Sequence, residues 1–301
     1  MGNRQKITTS GMLVTAAMLF GSSYSYRKMA LLYMGPFFFN VCRFFIGFVL
    51  LFSAYLIIDA RQVKQKINDY KPIVWQFKGG LLIGLVFSAG CNVQQLGLIT
   101  SDAGKCGFIS ALYILFTPII SSLILRKRIG ANIWTGAVIA AVGLFFISAG
   151  NSFHIVVGDV MFLIAAIFYA IQILIINYYI TYSSPLFLVS VQMFVCSISS
   201  LALSLFFESG NTFESIIIAI VPILYTSVLT IAVGNLLQFI AQKRASPSVT
   251  AITLSLESVF AAIFAAIILH EHMNTPQVAG CCLIFAAIII SQLERKPGPP
   301  K

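Results

Sequence analysis

Long apolar runs, each close to the length of a membrane-crossing helix, alternate with short polar junctions along the 301 residues. A helix needs about 20 mostly apolar residues to cross the hydrocarbon core, because its backbone groups must pair within the segment. The pattern predicts about ten spans with no soluble domain inserted between them. The predicted spans cover residues 8–32, 36–58, 74–98, 103–125, 131–150, 157–180, 185–207, 216–242, 247–269 and 275–293.

The composition agrees with this interpretation and excludes the ordinary soluble classes. Hydrophobic residues make up 59% of the chain and charged residues 9%, whereas soluble domains carry roughly 25% charged residues. A water-soluble fold of this length cannot bury so much apolar surface. The predicted fold class is therefore an all-α integral membrane protein.

Positive charges collect at alternate junctions between the spans. Fifteen of the nineteen Lys and Arg residues fall on one side of the predicted bilayer. The junctions on the other side carry Asp102, His154, Asp159, Glu208, Glu214, Glu271 and His272. Because Lys and Arg are retained on the cytoplasmic side, we predict a multi-pass protein of the cell membrane with both termini cytoplasmic. The net charge of +10 is then a topology signal, and no nucleic-acid partner is expected.

The ten spans divide into two sets of five at residues 151–156. We therefore predict two domains, 1–150 and 151–301. Because five is an odd number, the second half enters the membrane from the opposite face, and similar halves form an inverted repeat. Shifting the sequence by 144 residues places Gln94 on Gln238. Inverted repeats allow a site between the halves to open to one face and then to the other, so this arrangement favours a transporter.

Several short motifs recur in a characteristic order along the chain. They are Gly21-Ser22-Ser23-Tyr24, Arg43-Phe44, Leu115-Phe116-Thr117-Pro118, Gly158-Asp159 and Leu256-Glu257-Ser258-Val259, followed by Glu271. Together they resemble the drug/metabolite transporter superfamily, and more specifically its ten-helix EamA type. Ser258 stands where that family usually has Pro, and His270 where Gly precedes the acid. The resemblance implies secondary transport of a small organic solute, such as an amino acid, a metabolite or a drug-like compound, often outward.

Ionisable residues inside hydrocarbon are costly, which makes them candidate functional groups. Glu257 lies about ten residues into span nine, where it can bind a cationic group, accept a coupling proton or simply join helices. Arg43, in span two, can bind a substrate carboxylate or snorkel to the interface. Lys105, at the outer start of span four, has the same two interpretations. So do Arg27 and Lys28, of which Lys28 is the more typical of the family.

Amide side chains form the second set of candidates. Gln94 and Gln238 occupy equivalent positions under the 144-residue shift, and Asn235 shares a helical face with Gln238 because the two are three residues apart. These amides can bind a polar or zwitterionic solute, or they can join helices by hydrogen bonds. The remaining candidates for the lining are Tyr24, Tyr113, Tyr169 and Gln172, although membrane aromatics are more often packing residues.

Three alternatives to a transporter follow from the same sequence. An integral-membrane enzyme needs a clustered acid motif, a metal set or a nucleophile with its base, and His270-Glu271-His272 lacks the spacing of the helical zinc motif. A channel or a structural membrane protein explains the two halves less readily. The sequence has no phosphate-binding loop, so we expect no cofactor. Expected partners are a small-molecule substrate, membrane lipid and a coupling proton or other ion; the oligomeric state stays open.

Overall fold

The computed structural model of the chain describes residues 3–59, 70–101, 103–125, 130–148, 156–210, 212–268 and 275–292. Within these ranges the backbone forms helices with short connections and contains no strand. Some charged residues of the junctions lie outside the described ranges: Arg61, Lys64, Lys66, Asp102, Arg126, Lys127, Arg128, His154, Glu271, His272, Arg295, Lys296 and Lys301.

The described residues form ten helical segments, and their helical, apolar character confirms the predicted all-α membrane fold. Six segments are single helices: α1 (Asn3–Ala30), α3 (Ile73–Thr100), α5 (Ala131–Ser148), α6 (Val157–Ile180), α7 (Pro185–Phe207) and α10 (Thr275–Gln292). The others are composite: α2 (Pro36–Ala54 with a π turn Tyr55–Asp59), α4 (Ala103–Ser110 and Tyr113–Leu125), α8 (Phe213–Ile218, Ile220–Tyr225, a π-helix Thr226–Gly234 and Asn235–Gln242) and α9 (Pro247–Leu254 and Leu256–Ile268). Seven segments are long and apolar enough to cross a bilayer by length and composition, and shorter apolar stretches lie within α5 and α10.

Three helices begin with proline. Proline suits the first turn of a helix because an N–H group there has no acceptor within the helix. They are α2 at Pro36, α7 at Pro185 and α9 at Pro247. Ser184 caps α7 by accepting from the Phe187 N–H at 3.2 Å. The sequence therefore encodes these helix starts locally, and the predicted boundaries at 36, 185 and 247 match them.

Two helices break at equivalent places. Helix α4 is interrupted at residues 111–112 and α9 at Ser255, and the 144-residue shift superposes residue 111 on residue 255. Helix α8 is broken differently. Pro222 has no N–H for the carbonyl of Ile218, and the helix is interrupted at Ala219 before it continues into the π-helix.

Packing between the helices repeats in the two halves. Helix α1 packs on α9 and α8, and its counterpart α6 packs on α4 and α3. Likewise α2 packs on α8, and its counterpart α7 packs on α3. The helices also pack in the pairs α2–α7 and α5–α10, and each of these pairs joins equivalent helices of the two halves. The sets 1–5 and 6–10 thus interlock, so the centre of the molecule lies between the two halves.

Small residues allow the backbones to approach closely in these contacts. A Cβ on Gly143 of α5 would lie 2.8 Å from the carbonyl oxygen of Gly280 in α10. A Cβ on Gly97 of α3 would lie 2.9 Å from the carbonyl oxygen of Gly158 in α6. In the same way, Gly21 of α1 places its backbone against the Glu257 carbonyl of α9. These close approaches bring the polar residues of different helices together.

Candidate functional site

A cavity lies where helices of the two halves meet, and it is lined by residues of α1, α2, α3, α4, α6, α8 and α9. Its volume is about 80 Å³, and since one water needs about 10–15 Å³ on this measure, it suits a small solute. Nine of the ten candidate residues line it: Tyr24, Arg43, Gln94, Tyr113, Tyr169, Gln172, Asn235, Gln238 and Glu257.

Glu257 is the carboxylate of the cavity. It lies just after the break in α9 at Ser255, and it is 6% exposed. Its side chain interacts with that of Tyr113, which lies just after the equivalent break in α4. No Lys or Arg among the described residues forms an ion pair with Glu257, although Arg27 acts on it through space. The two helix breaks therefore bring a phenol and a carboxylate from different halves face to face.

Arg27 of α1 is bound by the amides of α3. Its Nε donates to Gln95 Oε1 at 2.8 Å and its Nη1 donates to Gln94 Oε1 at 2.7 Å, while Nη2 is buried with no hydrogen-bond partner among the described residues. The Gln94 Nε2 donates in turn to Ser110 Oγ at 2.8 Å and to Tyr24 OH at 3.2 Å. This network holds Gln94 in one orientation at the cavity wall.

Arg43 of α2 is held at its inner nitrogen. Its Nε donates to Asn40 Oδ1 at 2.8 Å. Asn40 Nδ2 donates to Asn92 Oδ1 at 2.9 Å, and Ser200 of α7 donates to the same Asn92 oxygen at 3.0 Å. The guanidinium lies over the Phe44 ring, 4.7 Å from its centroid. Arg43 is 2% exposed, so it does not snorkel to the interface but points into the molecule.

Asn235 and Gln238 follow the π-helix of α8 and line the same cavity. Asn235 Nδ2 donates to the Thr230 carbonyl at 3.2 Å, whereas its buried Oδ1 has no hydrogen-bond partner among the described residues. Gln238 Nε2 makes a long hydrogen bond of 3.4 Å to Gln242 Oε1. A bound solute with a donor group can therefore satisfy the Asn235 oxygen.

Tyr169 and Gln172 complete the wall on the side of α6. The Tyr169 hydroxyl donates to Cys91 Sγ at 3.5 Å, and Gln172 Nε2 donates to Gln192 Oε1 at 3.4 Å. The Gln172 bond is longer than a typical N–H···O hydrogen bond, whereas 3.5 Å is ordinary for a bond to sulfur. The Gln172 amide can thus turn toward a solute at little cost.

Lys105 is the one candidate that the described part of the structure does not test. Its backbone belongs to α4, and its side chain lies outside the described part of the structure. Lys28, which is more typical of the family than Arg27, does not line the cavity, because its Nζ donates to the carbonyls of Leu98 and Ser101 at 2.8 Å each, at the C-terminus of α3. In this pair the cavity residue is Arg27.

The sequence interpretation left Arg27 open between substrate binding and snorkelling, and it missed several smaller or apolar lining residues. Arg27 lies three residues after Tyr24 on one face of α1, which is the signal that would have identified it. The apolar lining includes Phe20, Phe87 and Leu254, and Cys91 and Thr230 also reach the cavity. These residues carry no motif, since only the packing of the helices selects them. No group of three or more His, Cys, Asp or Glu side chains among the described residues is arranged to hold a metal ion.

Comparison with known sequences gives a match along most of the chain. The sequence profile of the EamA-like transporter family matches twice, at residues 8–149 and at residues 156–293. The two matches meet at the junction between α5 and α6.

Two relatives and one solved structure are similar over most of their lengths. An uncharacterized transporter of Archaeoglobus fulgidus is 33% identical over 282 residues, covering 94% of this chain and 85% of the relative. The uncharacterized transporter YvbV of Bacillus subtilis is 25% identical over 297 residues, covering 97% and 93%. One protein crystal structure aligns with a TM-score of 0.74 over 94% of this chain and 96% of that chain, at 13% identity. The structural likeness supports the fold alone.

Proposed function

Because the chain belongs to the EamA-like transporter family, we propose that it moves a small organic solute across the cell membrane, outward, by alternating access between its two halves. The solute is an amino acid, another metabolite or a drug-like compound. In this proposal both termini are cytoplasmic, as the positive charges at alternate junctions predict.

One observation carries the proposal, which is that a buried polar cavity is shared by both halves. Repeat one supplies Arg43, Gln94 and Tyr113, and repeat two supplies Asn235 and Glu257. A rocking motion of one half against the other would open such a cavity to each face in turn without moving the binding residues far within their own half. A solute-binding role explains why charged groups are kept at a depth where they are costly.

Proteoliposomes provide the test. Vesicles containing the purified protein are loaded with a defined mixture of metabolites, and mass spectrometry follows the loss of each solute against protein-free vesicles. We expect saturable loss of a small group of solutes. We also expect that an excess of the same solute on the opposite side accelerates the flux, because an alternating-access carrier returns faster when it is loaded.

A channel would give flux that rises linearly with concentration and shows no such acceleration. A membrane enzyme would change the mass of a solute rather than its location. Either result would overturn the proposal, as would the absence of any protein-dependent loss from a well-folded preparation.

A further inference from the structure

The charges that line the cavity do not balance. Two guanidinium groups, those of Arg27 and Arg43, reach it, whereas Glu257 is the one carboxylate among its described lining residues. Among these described residues, positive charge therefore exceeds negative charge by one. An unbalanced charge at membrane depth is costly unless an opposite charge joins it. The cavity is thus suited to a solute that brings a negative charge.

The two arginines differ in what their nitrogens do. Arg27 uses two nitrogens to bind Gln94 and Gln95, at 2.7 and 2.8 Å, and so helps to fix the wall. Arg43 uses only its Nε, at 2.8 Å from Asn40. Its two terminal nitrogens form no hydrogen bond with the described residues. Arg43 consequently offers the free fork of donors that binds a carboxylate at two points.

The support behind Arg43 is rigid. Asn40 is held by Asn92, which also accepts from Ser200 of α7. The ring of Phe44 covers one face of the guanidinium at 4.7 Å. An arginine fixed at its inner nitrogen and across its face has little freedom to leave the cavity. Its terminal nitrogens are preorganised for an anion, which reduces the entropy lost on binding.

We propose that the transported solute carries one carboxylate and that this carboxylate binds the terminal nitrogens of Arg43. The inference rests on the transport function proposed above and names the chemical class of its solute. The apolar wall formed by Phe20, Phe87 and Leu254 receives the hydrocarbon part. A phosphate dianion is a poorer match, because it needs more donors than one free fork and more water than this apolar wall admits.

The test uses the purified full-length protein and matched solutes. Thermal unfolding is measured with carboxylates from acetate to 3-phenylpropionate, with the primary amide and the amine of each skeleton, and with inorganic phosphate. A solute that binds only the folded protein raises its apparent stability by mass action. We expect at least one carboxylate to stabilise the wild type at concentrations about tenfold or more below its amide, its amine and phosphate.

Three variants make the assignment specific. Arg43→Gln should lose the preference for the carboxylate, since it removes the fork. Lys71→Gln makes the same charge change at an exposed residue outside the cavity lining, and it should keep the preference. Asn40→Asp preserves shape but places a carboxylate beside Arg43 Nε, so it should weaken carboxylate binding even if Arg43→Gln fails to fold.

The outcomes separate this proposal from the transport function. Stabilisation by an amine, an amide or phosphate in place of the carboxylate overturns the carboxylate assignment, and so does equal carboxylate stabilisation of the wild type and the Arg43 and Asn40 variants. In each case, the protein-dependent flux from vesicles tests separately whether the protein transports a solute. Failure of every carboxylate to stabilise the folded wild type also overturns the assignment.

Discussion

The two halves of the molecule use equivalent positions for different chemistry. Gln94 and Gln238 are equivalent and both line the cavity, and the helix breaks before Tyr113 and Glu257 are equivalent as well. However, one break presents a phenol and the other a carboxylate, and both cavity arginines belong to the first half. In the proposed mechanism the repeated fold lets the halves exchange conformations, whereas the charges proposed to recognise a solute are not repeated.

The backbones differ too. Helix α3 is one continuous helix over Ile73–Thr100, whereas its counterpart α8 contains the nine-residue π-helix Thr226–Gly234. Such π segments often mark functional sites, and this one carries Thr230 into the cavity just before Asn235. The asymmetry of chemistry is therefore accompanied by an asymmetry of local structure in the helix that faces α1.

The largest effect should come from replacing the polar side chains that follow the two equivalent helix breaks. Glu257→Gln removes an interaction with a charged group, worth about 1.5–3 kcal/mol, or roughly 10- to 150-fold in flux. Tyr113→Phe removes only the hydroxyl that contacts Glu257 and leaves the carboxylate in the cavity, so it should cost less, about 0.5–1.5 kcal/mol, or roughly 2- to 10-fold. The measurement is protein-dependent flux from loaded vesicles. If both variants lose the same activity, the two halves contribute equally and the comparison fails.

The next largest effect should be a loss of stability when a methyl group is added where α1 packs closely on α9. A methyl group on Gly21 would collide with the Glu257 backbone, so Gly21→Ala should destabilise the protein by about 1–3 kcal/mol. The equivalent residue in α6 is Ala165, which already carries that methyl group. Thermal unfolding measures the change.

Gly11→Ala is the matched control, because a Cβ at Gly11 in the same helix meets nothing within 4 Å. This variant should be neutral or stabilising by up to about 1 kcal/mol. A loss of stability equal to that of Gly21→Ala would show that a methyl group destabilises α1 at any position, and not specifically at its contact with α9.

The starts of α2 and α7 are equivalent but capped differently. The Glu208 carboxylate of the second half accepts from the N–H groups of Phe37 at 2.7 Å and Phe38 at 2.9 Å. Helix α7 relies on its own Ser184. Glu208→Gln should cost about 1–2 kcal/mol because charge-assisted bonds are the stronger ones, and Ser184→Ala about 1 kcal/mol or less.

Thermal unfolding again measures both capping variants, with Thr212→Ala at the exposed start of the short helix Phe213–Ile218 as a control for loss of a cap alone. If Glu208→Gln lowers the stability no more than Ser184→Ala does, the cap that Glu208 of the second half provides for α2 is not the stronger of the two.

The smallest difference is expected where the halves are most alike. A Cβ on Gly90 would lie 3.0 Å from Tyr169 Cε1, and a Cβ on the equivalent Gly234 would lie 2.9 Å from Phe20 Cε1. Each ring can shift slightly, so Gly90→Ala and Gly234→Ala should cost similar amounts, about 1 kcal/mol each. Unfolding temperatures that differ by many degrees between the two variants would show that the π-helix has altered the contact at Gly234.

Particular residues show how far sequence reasoning reached. The spans and their starts at Pro36, Pro185 and Pro247 were predictable, because span length and local proline preferences act within one segment. The interrupted form of α8 was not predicted, although the segment contains Pro222. A proline specifies where a backbone bond is lost, but neighbouring helices decide how the freed carbonyl is accommodated.

The sequence by itself determined that the chain crosses a membrane several times and which family it joins, because apolar length and motif order are both local along the chain. Which charged residues share a cavity was decided by the tertiary structure. Arg27 and Lys28 are neighbours in sequence, yet one contacts Gln94 inside the cavity and the other binds carbonyls at the end of α3. Successive residues of a helix point about 100° apart, so the packing of α1 against its neighbours assigns each its role.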